Sequence, residues 1–209
     1  MNRRQKNGLM LMVLGLLLLL GGFFIHYTQS RQDQLAGENA QILLQQLELN
    51  KFTVTTPVLP VLPEQTPELP EAPTAPEPMA EKEYLGYSMI GTVRVPDLGI
   101  ELPVLSSWSY ELLNVAPCRY SGSIPEENMI LMGHNYRSHF TPLHRAEVGM
   151  AVEFEDVNGI LYRYTIAQIQ FLHKSQGEKL PSEYPLSLFT CSANGQERIV
   201  IRCQKDPDQ

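Results

Sequence analysis

The most marked pattern along this chain is an apolar run near the N-terminus, from Gly8 to Tyr27, without Asp, Glu, Lys or Arg. Because a helix rises about 1.5 Å per residue, about 20 such residues cross the ~30 Å hydrocarbon core of a bilayer. Arg3, Arg4 and Lys6 precede the run, which favours a cytoplasmic N-terminus with the rest of the chain outside. A cleaved signal peptide is the alternative, but no small-x-small cleavage site follows the run. We therefore predict an uncleaved transmembrane anchor, with its short cytoplasmic tip, over residues 1–28.

The next segment, residues 29–52, is rich in Gln, Leu and Glu. Leu35, Ile42, Leu43 and Leu47 recur at roughly helical spacing, which predicts a short juxtamembrane helix. Such a helix is either packed against a partner or solvated as a stalk. The polar composition favours the stalk.

Residues 53–83 form a spacer rich in Pro and Glu. Eight prolines lie between Pro57 and Pro78, and this composition cannot bury a core and favours extended polyproline II. At about 3.1 Å per residue, the proline-rich part could reach on the order of 70 Å. We expect anchor and spacer to contribute location and reach, and not chemistry.

From Tyr84 onward, short runs of β-type residues alternate with turn signals, which predicts a folded domain over residues 84–209. Only 110–115 and 139–145 have a helical pattern. Many short strands with one or two short helices predict a mainly β fold, a closed barrel of about seven to eight strands. Asn158-Gly159 is a hairpin signal. The predicted strands are Met89–Val95, Ile100–Leu105, Met129–His134, Ala151–Asp156, Leu161–Leu172, Ser187–Cys191 and Arg198–Cys203.

Charge and cysteine content narrow the classes of function. A formal net charge of -7 argues against nucleic acid as a partner, because phosphate backbones are held by clustered Lys and Arg. The three cysteines, Cys118, Cys191 and Cys203, are an odd number, so at least one thiol is free or pairs with another molecule. A disulfide between two of them stays open at this point.

Candidate chemistry begins with a hairpin near the C-terminus. The apolar strand that ends at Cys191 is followed, after a polar turn, by a strand that begins at Arg198. If the two strands pair, thiol and guanidinium lie at the same end of the hairpin, where a cation can favour the thiolate or stabilise an oxyanion. The alternative is that Cys191 is an inert buried side chain.

A second apolar strand ends at His134, which can leave the core there and face a cleft, although a structural histidine is the alternative. His139 and His144 follow at intervals of five, which do not match the i, i+4 spacing of a zinc site on a helix. We therefore expect no metal cofactor. Calcium is conceivable on five acidic residues, for which a solvated acidic surface is the better interpretation: Glu126, Glu127, Glu153, Glu155 and Asp156.

Taken in order, these segments resemble the sortase family over about 120 residues, from Ile90 to near the C-terminus. Leu188-Phe-Thr-Cys191 resembles the family's Thr-Leu-x-Thr-Cys signature, and Met132-Gly-His134 resembles the strand that delivers its histidine. Arg198 falls where the family places its arginine. The other matching segments are Ile90–Pro96, Ile100–Val104, Phe140–Leu143, Val148–Val152 and Tyr162–Tyr164.

This resemblance implies an extracytoplasmic cysteine transpeptidase, classed among the thiol proteases. Cys191 would attack the threonine carbonyl of an LPXTG-like sorting signal in a surface protein and form a thioester, with His134 as general acid/base. Arg198 would hold substrate carbonyls and the oxyanion, with Thr190 and Ser192 as further substrate or oxyanion contacts. The acyl group would pass to an amine of peptidoglycan precursor or of another surface protein. The resemblance leaves the subclass open.

Two other functions compete with this interpretation. A cysteine hydrolase would share the nucleophile and base but normally needs an Asn or Asp to orient the histidine. Asn135 adjoins His134, but adjacent strand residues point to opposite faces. The second alternative is a membrane-anchored binding domain in which Cys191 is inert.

Overall fold

The computed structural model describes residues 3–53, 79–192 and 195–207. Two α-helices lie among them, α1 (Arg3–Thr53) and α2 (Tyr110–Leu113), with 3₁₀ turns at Pro96–Leu98, Thr141–Arg145 and Gly177–Lys179. The nine strands are β1 (Lys82–Tyr84), β2 (Tyr87–Val95), β3 (Ile100–Leu105), β4 (Cys118–Ser121), β5 (Met129–Met132), β6 (Ala151–Asp156), β7 (Leu161–His173), β8 (Leu186–Cys191) and β9 (Glu197–Lys205).

The strands form one closed barrel. Their order is β1-β2-β3-β4-β5-β8-β9-β7-β6, and pairing of β2 with β6 closes the ring. Eight strands therefore make the barrel, and β1 is a short addition to β2. The pairs β3–β4 and β5–β8 are parallel, and the other pairs are antiparallel. The prediction of a mainly β, closed barrel is confirmed.

Alternation along the strands decides which side chains fill the barrel. On β8, Leu186 and Leu188 join the main core inside the ring, whereas Phe189 packs in a separate cluster on the outer face. On β9, Ile199, Ile201 and Cys203 are inside. Because successive residues of a strand point to opposite faces, Cys191 and Arg198 share the outer face.

The β6–β7 connection is the hairpin expected at Asn158-Gly159. Its turn is closed by the Gly159 N–H, which donates to the Asp156 carbonyl at 3.0 Å. The Asp156 carboxylate also accepts from the N–H groups of Asn158 and Ile160. The loop is thus longer than two residues, because the Asp156 side chain stabilises an additional turn.

The C-terminal half of α1 differs from the solvated stalk that its polar composition favoured. Ala36, Ala40, Leu43 and Leu47 are each at most 5% exposed, and the last three belong to hydrophobic clusters of the barrel. Their spacing of four, three and four residues forms one stripe on the helix. The segment 29–52 is therefore helical, and this stripe covers the barrel near β3.

The N-terminal half of α1 carries the apolar run. Within the part of the chain that the structure describes, one helical stretch, Met12–Leu49, is long and apolar enough to cross a membrane. Leucines such as Leu18 and Leu19, 70% and 74% exposed, cover its surface, as expected of a helix surrounded by lipid. The apolar helix thus fits a membrane anchor. The proline-rich spacer from Pro57 to Pro78 lies outside the described residues.

Candidate active site

The register of four neighbouring strands places the three candidate catalytic residues in one row. Cys191 on β8 is paired with Arg198 on β9, and Arg198 is paired with Leu172 on β7. On the other side, β5 runs parallel to β8 with Met132 opposite Phe189. His134 lies two residues after Met132, and Cys191 lies two residues after Phe189, so the two are at the same level. All three candidates are half-buried.

Gly133 permits the close packing that brings His134 to this position. A Cβ on Gly133 would lie 2.5 Å from a carbon of the Phe140 ring, which is closer than real Cβ atoms approach other heavy atoms. The Gly133 N–H donates to the Phe189 carbonyl at 3.1 Å, so the β5–β8 pairing continues to the histidine. Beyond it, the Phe140 N–H donates to the His134 carbonyl at 3.2 Å.

The His134 ring is held by an aromatic neighbour. The Tyr136 ring lies 4.7 Å away, centroid to centroid, at an interplanar angle of 34°. The Tyr136 hydroxyl donates to Asn114 Oδ1 at 3.0 Å, which ties this ring to the end of α2. Burial lowers the pKa of His134, so the neutral imidazole, the form that accepts a proton, is favoured at neutral pH.

Only one of the three cysteines is placed for chemistry. All three thiols are free; Cys118 and Cys203 are 0% exposed, whereas Cys191 is half-buried on the outer face. Burial raises the pKa of Cys118 to about 12 and raises the pKa of Cys203 well above its usual range. Neither buried thiol can readily form a thiolate, which is the nucleophilic form.

Arg198 is anchored to the loop that follows β7. Its Nη1 donates to the Lys174 carbonyl at 2.7 Å, and the Lys174 N–H in turn donates to the Gln196 carbonyl at 2.9 Å. This bond directs that nitrogen of the guanidinium toward the β7 side of β9, whereas Cys191 is paired with Arg198 on the β8 side. A planar guanidinium can keep one such bond while directing other N–H groups elsewhere.

The structure separates Thr190 and Ser192 from the row. Thr190 is 1% exposed, and its hydroxyl oxygen has no hydrogen-bond partner among the described residues. It precedes Cys191 on β8 and therefore faces the barrel interior. The Ser192 N–H donates to the Glu197 carbonyl at 2.8 Å, so an oxyanion contact would require this bond to open. Roles for both residues stay predictions.

A fourth side chain lies next to the row of candidate catalytic residues. Its position in the sequence did not indicate this contact. His144, in the 3₁₀ turn after Phe140, brings Nε2 to 3.3 Å from the carbonyl oxygen of Cys191. Its interval from the other histidines predicted nothing about this contact. The approach depends on the tertiary packing of this turn, which no local pattern encodes.

Asn135, the orienting residue that a hydrolase would require, is engaged elsewhere. Its Oδ1 accepts a hydrogen bond from the Thr141 hydroxyl at 2.9 Å. This contact stabilises the loop after His134.

The acidic residues considered as calcium ligands bind other groups of the protein, each at a different place. Glu155 binds Arg94 at 2.8 Å, Glu127 lies 3.5 Å from Lys205, and Asp156 caps its own turn. Within residues 3–53, 79–192 and 195–207, no three His, Cys, Asp or Glu residues are grouped so that they could hold a metal ion. A reaction without a metal cofactor stays a prediction.

A second outer-face arginine, Arg202, organises the β7–β8 loop. It is 1% exposed. Its guanidinium donates to the carbonyls of Lys179 and Leu180 at 2.7 and 2.6 Å. It also donates to the hydroxyls of Ser182 and Ser187 and to Gln170 Oε1. These contacts fix residues 179–182 of the loop, four residues along β9 from the row.

We expect Arg202→Lys to destabilise the fold by about 2 to 4 kcal/mol. An ammonium has three donors and no planar fork, so some of the buried acceptors lose their partner, at roughly 1 to 3 kcal/mol each. Thermal melting of the full-length chain in detergent would measure the loss, with Arg94→Lys as the matched control at a partly exposed ion pair. Equal melting temperatures of Arg202→Lys and wild type would contradict this role.

Comparison with known proteins gives the family. The family model described as "Sortase domain" matches residues 93–206, more than half of the chain. The chain therefore belongs to the sortase family, which at family level makes it a cysteine transpeptidase. A search of curated protein sequences gives no match.

Solved sortase structures share the fold. Sortase C1 of Streptococcus agalactiae, in complex with MTSET, is 22% identical with a TM-score of 0.50, over 56% of this chain and 67% of that one. Sortase C1 of Streptococcus suis is 21% identical with a TM-score of 0.51, over 57% and 73%. Sortase D5 of Clostridium perfringens is 15% identical with a TM-score of 0.52, over 56% and 79%. At these identities the likeness concerns the fold alone.

Proposed function

We propose that this protein cleaves a C-terminal, LPXTG-like sorting signal of surface proteins and transfers the remaining protein to an amine. The observation that carries the proposal is the row formed by His134, two residues beyond β5, with Cys191 on β8 and Arg198 on β9, on the outer face of the barrel. Three half-buried side chains with a thiol, an imidazole and a guanidinium supply a nucleophile, a proton carrier and a carbonyl-binding cation.

In the first half-reaction, neutral His134 takes the proton of the Cys191 thiol. The sulfur attacks the threonine carbonyl carbon of the sorting signal, and the electron pair of the C=O bond moves to oxygen. When this tetrahedral species collapses, the C–N bond breaks and His134 returns the proton to the leaving amine. The surface protein is then held as a thioester on Cys191.

In the second half-reaction, an amine of peptidoglycan precursor or of another surface protein attacks the thioester carbonyl. His134 removes a proton from the attacking amine. The C–S bond breaks, a new amide bond forms, and the Cys191 sulfur recovers a proton from His134. An amine acceptor distinguishes this transpeptidation from hydrolysis by water.

Arg198 supports both half-reactions. Arg198 is paired with Cys191 in the β8–β9 register, and its guanidinium, which donates to the Lys174 carbonyl through Nη1, has further N–H groups to offer a substrate. Donors directed at the forming oxyanion lower the barrier because its charge develops only as the tetrahedral species forms.

The apolar part of α1 supports an anchored, extracytoplasmic enzyme. Arg3, Arg4 and Lys6 before the run favour a cytoplasmic N-terminus, so the barrel would work outside the cell, where surface proteins and wall precursors are found. The net charge of -7 gives no reason to add nucleic acid to these partners.

The test is cleavage of peptides that carry sorting signals from surface proteins of the same genome. We expect the full-length chain to release the segment after threonine, and added amines such as triglycine to form a new peptide product. Release with water as the acceptor, at the same rate with or without amine, would support the hydrolase. No cleavage of any such peptide, together with slow alkylation of Cys191, would support a binding domain.

A further inference from the structure

The C-terminal half of α1 contacts the loop that follows His134. Asp33 Oδ1 accepts hydrogen bonds from the Ser138 N–H at 3.2 Å and from its hydroxyl at 3.1 Å. The Ser138 hydroxyl also lies 2.9 Å from the Asp33 carbonyl oxygen. A side chain 105 residues away in sequence thus binds the loop four residues after the candidate acid/base.

The packing around this contact is close. A Cβ on Gly37 would lie 3.0 Å from Ser138 Cβ, so the absence of a side chain at Gly37 lets the helix approach the loop. Ala36 and Ala40 are each 1% exposed. Beneath the helix, His139 is also 1% exposed. Small residues on one face therefore bring the α1 backbone against the loop.

The loop is compact, so the hydrogen bonds that hold it at Ser138 also affect the position of His134. The N–H groups of His139 and Thr141 donate to the Tyr136 carbonyl, and the Phe140 N–H donates to the His134 carbonyl. The Tyr136 ring stacks on His134. Displacement of Ser138 would move the turn that supports both the backbone and the ring of His134.

We propose that Asp33 is a positioning residue for the reaction, and that residues 33–47 of α1 are a working part of the catalytic unit. This proposal rests on the proposed function. The helix runs without a break from the apolar run to Asp33, and the six residues from Tyr27 to Asp33 span only about 9 Å. The same contact therefore holds the His134 loop close to the anchor, whatever the reach of the spacer.

The kinetic test compares three variants of the full-length chain in vesicles. Asp33→Leu removes both side-chain bonds to Ser138, and we expect kcat to fall about 10- to 100-fold with KM within about twofold. Asp33→Asn keeps an acceptor oxygen at Oδ1 and should restore most of kcat. Glu38→Leu changes an exposed residue of the same helix and should behave as wild type.

Hydrogen exchange of the 134–141 segment provides the readout that does not depend on activity. We expect faster exchange in Asp33→Leu than in wild type and Glu38→Leu, because the Ser138 N–H loses its acceptor. Wild-type kcat or unchanged exchange in Asp33→Leu would overturn the positioning role, as would an equal loss of kcat in Glu38→Leu. If wild type itself cleaves no sorting peptide, the proposed function fails, and exchange alone still tests the contact.

Discussion

Cys191→Ala is expected to reduce turnover of sorting-signal peptides to background, a loss of at least about 10⁴-fold. Without the sulfur no thioester can form, and the remaining row can only bind substrate. Peptide cleavage followed by chromatography would measure the loss. Mass spectrometry of the protein after mixing with substrate should show an acyl-enzyme in wild type and none in the variant.

The matched control is Cys203→Ala. Cys203 is 0% exposed inside the barrel, so its truncation should cost about 1 to 2 kcal/mol of stability but leave most of the turnover. Iodoacetamide should modify Cys191 first, because the other two thiols are buried. A comparable loss of turnover in folded Cys203→Ala and Cys191→Ala would contradict the assignment of the nucleophile.

The barrel was predictable because its strands alternate clearly. In β8 and β9, apolar residues at every second position fill the core, and the intervening positions place Cys191 and Arg198 on one face. Two strands were missed. β1, Lys82–Tyr84, is only three residues long, and β4, Cys118–Ser121, contains Arg and Ser. Such short, polar strands depend on pairing with neighbours and carry little local signal.

The contact of α1 with the barrel was not predictable from large apolar residues. Leu35 and Ile42, counted in the helical pattern, are 55% and 50% exposed, whereas Ala36 and Ala40 are buried. Close approach of two backbones selects small residues, which a search for Leu and Ile overlooks. The actual stripe shares only Leu43 and Leu47 with the predicted one.

Within the site, local motifs identified the row but not the side chains that support it. Cys191, His134 and Arg198 each end or begin a predicted strand, so the sequence pattern indicated them, although the observed β5 ends two residues before His134 and β9 begins one residue before Arg198. The contact of His144 with the Cys191 carbonyl and the five donations of Arg202 join segments distant in the chain. Those contacts follow from the course of the loops, for which a single sequence has no periodic signal.

Arg198→Lys is expected to lower kcat about 100- to 1,000-fold, the typical cost of removing one oxyanion-stabilising donor, roughly 3 to 4 kcal/mol. The ammonium keeps the charge and can still donate to the Lys174 carbonyl. It lacks the planar fork that can bind this carbonyl and substrate oxygens at once. The loss should therefore appear in catalysis, with the loop and the fold retained.

The variant Arg202→Lys distinguishes an effect on stability from an effect on catalysis. Arg202 lies four residues further along β9, about 13 Å from Arg198, and its contacts hold the β7–β8 loop. We expect it to melt at a lower temperature than Arg198→Lys but, at temperatures where it remains folded, to retain kcat within a few-fold of wild type. Peptide cleavage, amine transfer and thermal melting of both variants provide the measurement. Near-normal kcat in folded Arg198→Lys, or a deeper loss of kcat in folded Arg202→Lys, would show that Arg198 is not the cation that acts on the substrate.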